Sequence, residues 1–169
     1  YIVGVWLGDG RSRNGEITIS ESEISENITE RGYVVGPNIG DGDRCSQHTI
    51  YGLRTELRHL NLLNNKHIPT IYLRSSYQQR LDLLRGLMDS DGNVNIVRKQ
   101  CIFTNCNKKL SEDVKELLLT LGQRPLLSHI LNRQFDEDID VYPISFRPIN
   151  INPFLLTRKA DQVNPNWGS

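Results

Sequence analysis

The sequence contains little cysteine and no long apolar segment. Its three cysteines, Cys45, Cys101 and Cys106, are an odd number and lack the paired spacing of a zinc finger. No run approaches the ~20 apolar residues that span a bilayer, and the N-terminus has neither a basic start nor a signal cleavage site. We therefore expect a reduced, intracellular protein with no zinc site and no membrane partner. Because the chain begins in an apolar segment without Met, we expect it to be part of a longer polypeptide.

Neither sign of charge is in excess. Lys and Arg together number 20, as do Asp and Glu, which argues only weakly against a nucleic-acid partner because the position of charges matters more than their sum. Acidic residues are concentrated at 16–30 and 136–140. The main basic residues elsewhere are Arg11, Arg13, Arg54, Arg58, Arg98, Lys99, Lys108, Lys109, Arg158 and Lys159. This distribution fits either a basic face with acidic edges or a mixed, solvated surface.

Apolar periodicity in the second half predicts alternating helices and strands. Residues 77–91 carry leucines at helical spacing, and Asp91 with Gly92 marks the helix end. The further predicted elements are strands at 93–98 and 100–105, a helix at 111–122 that begins at Ser111, strands at 126–131 and 142–148, and a short closing helix within 151–163.

The first half repeats this order with an insertion. The predicted elements are a short apolar helix at 1–9, a strand at 15–20, a helix at 21–32, a glycine-rich loop at 36–43, a strand at 46–53 and a helix at 53–63. Ser20 and Glu23 predict a capping box for the helix at 21–32. The repeated order indicates an internal duplication, with halves at 1–80 and 81–169 in one compact domain.

Two short segments, IVGVWLGDG at 2–10 and LRGLMDSDG at 84–92, share a pattern of small residues. The small residues are Gly4 and Gly8 in the first segment, and Gly86 and Ser90 in the second. Residues four apart lie on one face of a helix, about one turn of ~5.4 Å from each other. Small residues on that face let two backbones approach closely. We therefore expect the two helices to pack through these faces.

Such packing would place Asp9 beside Asp91. Two adjacent carboxylates repel, and the pair persists where a cation or a shared proton relieves the repulsion. Carboxylates suit Mg²⁺, which keeps positions for water and phosphate oxygens and supports phosphodiester cleavage. The alternative is that each Asp merely ends its helix before a turn glycine. The helix dipole argues against that alternative, since a helix C-terminus repels a carboxylate unless a positive charge is added.

The two segments resemble the paired signature of the LAGLIDADG homing endonucleases. The first copy departs at Leu7, where the motif often carries an acid, but it keeps Asp9, the position that the family's chemistry uses. The second copy keeps both Asp89 and Asp91. Because Asp89 has no partner acid at Leu7, we expect it to be a helix-end or supporting residue outside the catalytic pair.

This resemblance implies an α+β fold with two pseudo-symmetric αββαββα halves. The halves would pack through the two motif helices and form a saddle of antiparallel sheets over DNA. The implied metal site comprises Asp9 and Asp91 with Gly8 and Ser90, and the implied ion is Mg²⁺, with Mn²⁺ or Ca²⁺ as possible substitutes. A chain with both halves would act as a monomer on double-stranded DNA with a long, poorly symmetric site, in the cytoplasm, nucleoid or nucleus, wherever the host DNA is.

The resemblance also implies a lysine near the metals from each half. Lys66 in NNKHIP and Lys159 in LLTRK match these positions, with Arg98 the main competitor for the second. Base contacts would come from the strands, because a two-stranded ribbon fits the major groove. The candidates for base contacts are Arg11, Arg13, Asn14, Thr18, Asn95, Arg98, Gln100 and Arg133, and those for phosphate contacts are Lys108, Lys109, Arg54 and Arg58.

Three further segments resemble the endonuclease insertions of inteins: KHIP, FTNCNKKLSEDVKELLLTLG and NPFLLTRKA. The chain has no splicing nucleophile at its N-terminus and no His-Asn pair at its C-terminus, so we expect the nuclease domain without splicing parts. Two other functions stay open at this stage. One is an RNA-binding maturase that assists intron splicing, and the other is a sequence-specific DNA-binding module that has lost cleavage.

Overall fold

The computed structural model of the chain describes residues 1–40, 46–134 and 137–169. The elements of the first part are α1 Ile2–Asp9, β1 Glu16–Ile19, α2 Ser22–Glu30, β2 Val35–Asn38, β3 Ser46–Ile50, α3 Leu53–His59 and α4 Thr70–Leu73. The elements of the second part are α5 Tyr77–Asp91, β4 Gly92–Asn95, β5 Gln100–Phe103, α6 Lys108–Thr120, β6 Leu126–Leu127, β7 Ile130–Gln134, β8 Glu137–Val141, β9 Ile144–Phe146 and α7 Thr157–Ala160. Among these described helices, none is long and apolar enough to cross a membrane.

The described strands form two antiparallel sheets with corresponding orders and a separate two-stranded hairpin, β7-β8. The first sheet has the order β1-β3-β2 and the second has the order β4-β5-β9-β6. In the first sheet an isolated bridge between Gly10 and Ile17 stands where β4 pairs with β5 in the second. The expected αββαββα order therefore holds in the second half apart from the inserted hairpin β7–β8, while in the first half the strand after α1 is reduced to this bridge. The predicted α+β class is confirmed.

Helices α1 and α5 pack against each other through the predicted small residues. A Cβ atom on Gly4 would lie 2.3 Å from the Leu83 carbonyl oxygen, and one on Gly86 would lie 2.0 Å from the Tyr1 carbonyl oxygen. A Cβ atom on Gly8 would lie 2.1 Å from Ser90 Oγ. Gly4 contacts the part of α5 around Gly86, and Gly8, one turn later, contacts Ser90, one turn after Gly86. The two helices therefore run in the same direction and end together.

The apolar remainder of α1 lies in the core. The consecutive residues Val5, Trp6 and Leu7 are all fully buried. Other elements therefore enclose the helix on all sides, which explains why it is apolar all round. Leu84, Leu87 and Met88 of α5 belong to the same core. Leu7 therefore occupies a site in which an acid would need buried partners.

The predicted capping box of Ser20 and Glu23 is wrong. Glu21 is the N-cap of α2, and no side chain of the helix's own start caps it. The Glu23 carboxylate instead accepts hydrogen bonds from the backbone N–H and the hydroxyl of Thr157, at 3.0 and 2.8 Å. The Glu23 carboxylate, which the local pattern assigned to capping α2, therefore forms a tertiary contact with Thr157.

The helix predicted to begin at Ser111 begins three positions earlier, at Lys108. The Asn107 side chain is the N-cap, because its Oδ1 accepts from the backbone N–H of Leu110 at 3.1 Å. Ser111 lies inside the helix, fully buried, and its hydroxyl donates to the Tyr142 carbonyl at 3.1 Å. This segment offers two possible N-cap residues, Asn107 and Ser111, and Asn107 caps the helix.

Three other predictions need correction. Strand β2 occupies the first part of the predicted glycine-rich loop, and it lies at a sheet edge, where Pro37 is tolerated. The last part of that loop, 41–43, lies outside the described residues. The predicted strand at 126–131 is divided between β6 and the start of β7, which lie in different sheets, and the hairpin β7–β8 was not predicted. The closing helix is limited to α7, because Asp89 fixes the backbone just before it.

Candidate active site

The parallel packing of α1 and α5 brings Asp9 and Asp91 together. Each is the last residue of its helix, and the Asp91 Cγ atom would lie 3.3 Å from a Cβ atom on Gly8. Both side chains are partly buried. The predicted meeting of the two carboxylates is therefore present in the structure, at the end of the helix pair.

Burial and mutual repulsion perturb this carboxylate pair. Burial, and after it the Asp91 charge, raises the pKa of Asp9 to about 6, although Lys159 and Lys66 oppose the rise. Burial also raises the pKa of Asp91, against the hydrogen bond from Asn105 and the two lysine charges. A divalent cation would relieve both effects, so the donor set fits a metal that prefers oxygen ligands. Within the described residues no third acidic, His or Cys side chain joins the pair, which suits Mg²⁺ with water ligands.

Gly8 and Ser90, the other expected metal ligands, are already engaged. The Ser90 hydroxyl donates to the carbonyls of Gly86 and Leu87, both at 3.0 Å. The Gly8 carbonyl accepts from Lys66 at 3.2 Å. These contacts give both residues a packing role in the helix pair, while the Gly8 carbonyl oxygen and the Ser90 hydroxyl oxygen keep lone pairs with which they would also bind a metal.

Lys66 closes the C-terminal end of α1. Its Nζ donates to the carbonyls of Leu7, Gly8 and Gly10, at 3.0, 3.2 and 2.7 Å. It also lies 5.0 Å from the centre of the Trp6 ring. Burial lowers the pKa of Lys66 to about 8, and the three acceptors match the three N–H bonds of an ammonium. The group is therefore charged at pH 7.

Lys159 closes the end of α5 in the same way. Its Nζ donates to the carbonyls of Met88, Asp89 and Gly92, at 3.1, 2.7 and 2.7 Å. Burial lowers the pKa of Lys159, and the Asp89 charge opposes this. The two lysines supply the positive charge that a carboxylate at a helix C-terminus requires. Arg98, the competitor, lies exposed in the turn after β4, and its backbone N–H donates to the Asn95 side chain.

Asp89 lies outside the carboxylate pair, as expected, and is almost fully buried. Its Oδ1 accepts from the backbone N–H groups of Leu155 and Leu156, at 3.0 and 3.1 Å. Its Oδ2 accepts from the Tyr1 hydroxyl at 2.7 Å. Asp89 therefore ties α5 to the segment that leads into α7 and Lys159.

Sequence reasoning missed Asn105. Its Nδ2 donates to Asp91 Oδ2 at 2.9 Å, while in the described part of the chain no side chain donates to Asp9. Asn105 Oδ1 accepts from the backbone N–H of Asn107 at 2.8 Å, which fixes the orientation of the amide. Its only signal in sequence is a polar residue just after a strand, and many surface residues share that signal.

Of the proposed base-reading residues, Thr18, Asn95 and Gln100 lie in strands of the two sheets, while the others lie in turns or in the β7–β8 hairpin. Asn95 pairs with Gln100 across β4 and β5, while Thr18 alternates with buried Ile17 and Ile19 in β1. Arg11 lies 3.5 Å from Glu16, which places an acid within this face. The Asn14 carbonyl accepts from the Trp6 indole and its side chain from the Glu16 N–H, so Asn14 shapes the turn. Arg13 is exposed.

Three of the remaining basic candidates have acidic neighbours. Lys108 lies 3.9 Å from Glu112, Lys109 pairs with the buried Asp113, and Arg133 is opposite Asp138 in the β7–β8 hairpin. Arg54 and Arg58 are exposed on α3.

Two arginines that the sequence reasoning missed lie beside Gln100. A cavity of about 320 Å³ is lined by Gln100, Ser145, Arg124, Arg147 and Trp167, among others. Gln100 is in β5 and Ser145 in the neighbouring β9. Basic groups therefore lie beside the two inner strands of the second sheet, which spacing in the sequence did not indicate.

Comparisons with known proteins agree with this architecture. Residues 78–137 match the family of LAGLIDADG-like domains. The replicative DNA helicase DnaB of Mycobacterium intracellulare is 37% identical over 161 residues, which are 95% of this chain and 25% of that protein. The chain thus spans about a quarter of the length of this curated relative.

Solved structures of the homing endonuclease I-DmoI share the fold. The complex of I-DmoI with DNA and Mn is 17% identical, with a TM-score of 0.57 over 86% of each chain. The mesophilic variants of I-DmoI are 17% identical, with a TM-score of 0.58 over 100% of this chain and 94% of that one. Residues 78–137, which contain the second motif segment, are therefore similar to LAGLIDADG-like domains, and the chain as a whole shares the fold of the homing endonuclease I-DmoI.

Proposed function

We propose that the chain is a site-specific double-strand DNA endonuclease of the homing type. The observation that carries this proposal is the meeting of Asp9 and Asp91 at the ends of two parallel helices, each end closed by a lysine. The similar I-DmoI structures contain DNA together with Mn or Ca. These complexes support the same ligand classes for this chain.

Asp9 and Asp91 would hold a divalent ion, Mg²⁺ in the cell with Mn²⁺ or Ca²⁺ as substitutes. When bound, such an ion activates water as a nucleophile and stabilises the leaving oxygen of a phosphodiester. Lys66 and Lys159 bind backbone carbonyls on both sides of Asp9 and Asp91 and so fix the backbone that carries the two carboxylates. Two carboxylates and two ammonium groups sum to zero charge, so a phosphodiester can approach the centre without net repulsion.

The polar faces of the two sheets would bind the duplex. Residues 1–80 and 81–169 would act as the two halves of one DNA-binding surface, each reading one part of a long, poorly symmetric site. We propose base contacts from the exposed or half-buried strand and turn residues, and phosphate contacts from α3 and the start of α6. These residues are Arg11, Arg13, Thr18, Asn95, Arg98, Gln100 and Arg133 for bases, and Arg54, Arg58, Lys108 and Lys109 for phosphates.

The relation to DnaB supports an inserted element. The chain matches a quarter of that protein over almost all of its own length, as an endonuclease insertion within a host polypeptide would. We therefore propose that the chain is the endonuclease part of an intein in such a host, where the host gene is the DNA to be recognised.

Substitution of each aspartate tests the function. Asp9→Asn or Asp91→Asn should reduce cleavage of the target by at least about 100-fold, because one metal-binding carboxylate is lost, while the Kd for the target stays within a few-fold. Asp161→Asn, an exposed position, is the matched control. The target comes from incubating the wild-type chain with a randomised duplex library and Mg²⁺ and sequencing the cut ends.

The same assay separates the alternatives. Cutting retained in both aspartate variants, or cut ends without a consensus, would refute the specific nuclease. Tight binding to an intron transcript at moderate salt, without binding to duplex DNA, would favour the RNA-binding maturase. Tight duplex binding without cleavage by the wild-type chain would favour the cleavage-dead DNA-binding module.

A further inference from the structure

The segment that carries Lys66 belongs to the first half but is held by a helix of the second half. The Lys66 carbonyl accepts from the Asn107 Nδ2 at 2.9 Å. The backbone N–H of Ile68 donates to Asp113 Oδ2 at 2.9 Å. Asn107 is the N-cap of α6 and Asp113 is a buried residue within it. Both ends of this short segment are therefore fixed by α6.

The segment that carries Lys159 shows the reverse arrangement. It belongs to the second half, and the backbone N–H of Thr157 donates to both carboxylate oxygens of Glu23, at 3.0 and 3.1 Å. Arg158 forms two hydrogen bonds with Glu21, at 2.9 and 2.7 Å. Glu21 and Glu23 lie at the start of α2, in the first half. The start of α7 is therefore fixed by α2.

Helices α2 and α6 are counterparts in the two halves. Each follows the strand that pairs with the segment after a motif helix, β1 in the first sheet and β5 in the second. Each lysine segment closes the motif helix of its own half, while an acid of the other half binds the backbone of that segment. One such contact would be ordinary packing. Two corresponding contacts, each close to a lysine that closes the end of a carboxylate-bearing helix, indicate a common role.

We propose that Glu23 and Asp113, the latter assisted by Asn107, are positioning residues that hold Lys159 and Lys66 crosswise between the halves. Each acid acts on a backbone N–H within two residues of its lysine and so sets where the ammonium lies. It follows that each lysine depends on the half that does not contain it. The catalytic meaning of this arrangement rests on the proposed nuclease function, whereas the arrangement itself does not.

Lysine reactivity tests the arrangement without any activity. The folded, metal-free chain is treated with a trace of acetic anhydride, and acetylation of Lys66 and Lys159 is measured by peptide mass spectrometry. Glu23→Ala should raise the acetylation rate of Lys159 roughly tenfold, because charge-assisted hydrogen bonds are lost, and should leave Lys66 protected. Glu26→Ala, an exposed acid on the same helix, should change neither. Glu23→Gln keeps an acceptor oxygen and should restore most of the protection.

The reciprocal variants act on the other lysine. Asp113→Ala should raise the acetylation of Lys66 alone, with the exposed Glu116→Ala as its control. Because Asp113 is buried, this variant can fail to fold. Asn107→Ser retains a capping oxygen for α6 but removes the amide that binds the Lys66 carbonyl, so it should show the same selective increase. An equal increase at both lysines, or no increase at either, would overturn the proposal.

Strand-specific cleavage then tests the catalytic meaning. On a duplex labelled separately on its two strands, Glu23→Ala should slow one strand preferentially and Asn107→Ser the other, so that opposite nicked intermediates accumulate. Equal slowing of both strands by each variant would contradict crosswise positioning. If the wild-type chain cleaves neither strand, the proposed function fails, while the acetylation result still decides the arrangement.

Discussion

Each motif helix of this chain ends in a carboxylate and is closed by an ammonium. The ammonium of Lys66 and that of Lys159 each bind three carbonyls at a helix end. This arrangement satisfies acceptors that a helix C-terminus leaves unpaired and offsets the dipole that would otherwise repel the aspartates. The lysines therefore have a structural reason to lie beside the carboxylates, in addition to any contact with DNA.

The raised pKa of Asp9 predicts how stability depends on pH. The pKa of Asp9 is raised from 3.8 to about 6 in the folded chain, so between these values the folded chain binds a proton that the unfolded chain has released. The free energy of unfolding should therefore fall as pH rises through this window, by about 1–2 kcal/mol from this group, because solvent screens a partly exposed carboxylate. Above about pH 7 its contribution should be constant.

Urea unfolding at a series of pH values in metal-free buffer measures this effect as the difference between the wild-type chain and Asp9→Asn. The variant should be more stable than wild type above pH 6 and should lose that advantage towards pH 4. Mg²⁺ should stabilise the wild-type chain near neutral pH and the variant much less, because the ion binds the ionised pair. A difference between the two proteins that does not change with pH would contradict the assignment.

At the site, the sequence predicted residues that share a motif and missed those that only tertiary structure brings in. Asp9 and Asp91 could be chosen because they end two repeated segments, and Lys66 and Lys159 because the resemblance to the LAGLIDADG homing endonucleases implied a lysine from each half. Asn105 reaches Asp91 from the end of a neighbouring strand. No local pattern marks such a contact, because it depends on how β5 lies beside the end of α5.

The contact between α1 and α5 leaves no space for an added side chain at Gly4 or Gly86. The Cβ positions of Gly4 and Gly86 would lie 2.3 and 2.0 Å from backbone carbonyl oxygens of the facing segment. Backbone cannot move aside as a flexible side chain can. The helix pair must therefore separate if either glycine gains a side chain.

Gly4→Ala and Gly86→Ala should each lower the free energy of unfolding by about 1–3 kcal/mol or more, measured by urea denaturation. Gly8→Ala provides the matched comparison, because its nearest neighbour is the Ser90 side chain. Adding Ser90→Gly to Gly8→Ala should restore much of the stability, whereas no single side-chain truncation should rescue Gly4→Ala. Wild-type stability in Gly86→Ala would refute the close packing.

The elements that apolar periodicity predicted are those that bury one face. Helix α5 and strands β1, β3, β4 and β5 each carry alternating or helically spaced apolar residues that reach the core. The hairpin β7–β8 was missed because its described side chains include exposed Ile130 and Leu131 and several charges. Its strands are held by pairing with each other, which leaves no hydrophobic periodicity to detect.

For the whole molecule, one chain contains both carboxylates and both lysines. A complete centre therefore requires no second copy, and we expect a monomer of 19.4 kDa that binds one duplex. Analytical ultracentrifugation with and without target DNA measures this stoichiometry. Mixing Asp9→Asn chains with Asp91→Asn chains provides the control, since monomers cannot combine their intact halves. Recovery of cleavage in the mixture would show that the centre forms between chains.

The bonds between Glu23 and Thr157 join residues 134 positions apart in the chain. Contacts at such sequence separation form late in folding, because closing a long loop costs entropy before any contact repays it. The first motif helix is synthesised early, yet the segment that closes the other helix end is synthesised about 70 residues after that helix. A nascent or partly folded chain therefore contains both carboxylate-bearing helices before Lys159 closes α5, so under the proposed function cleavage would begin only after the segment around Thr157 has docked.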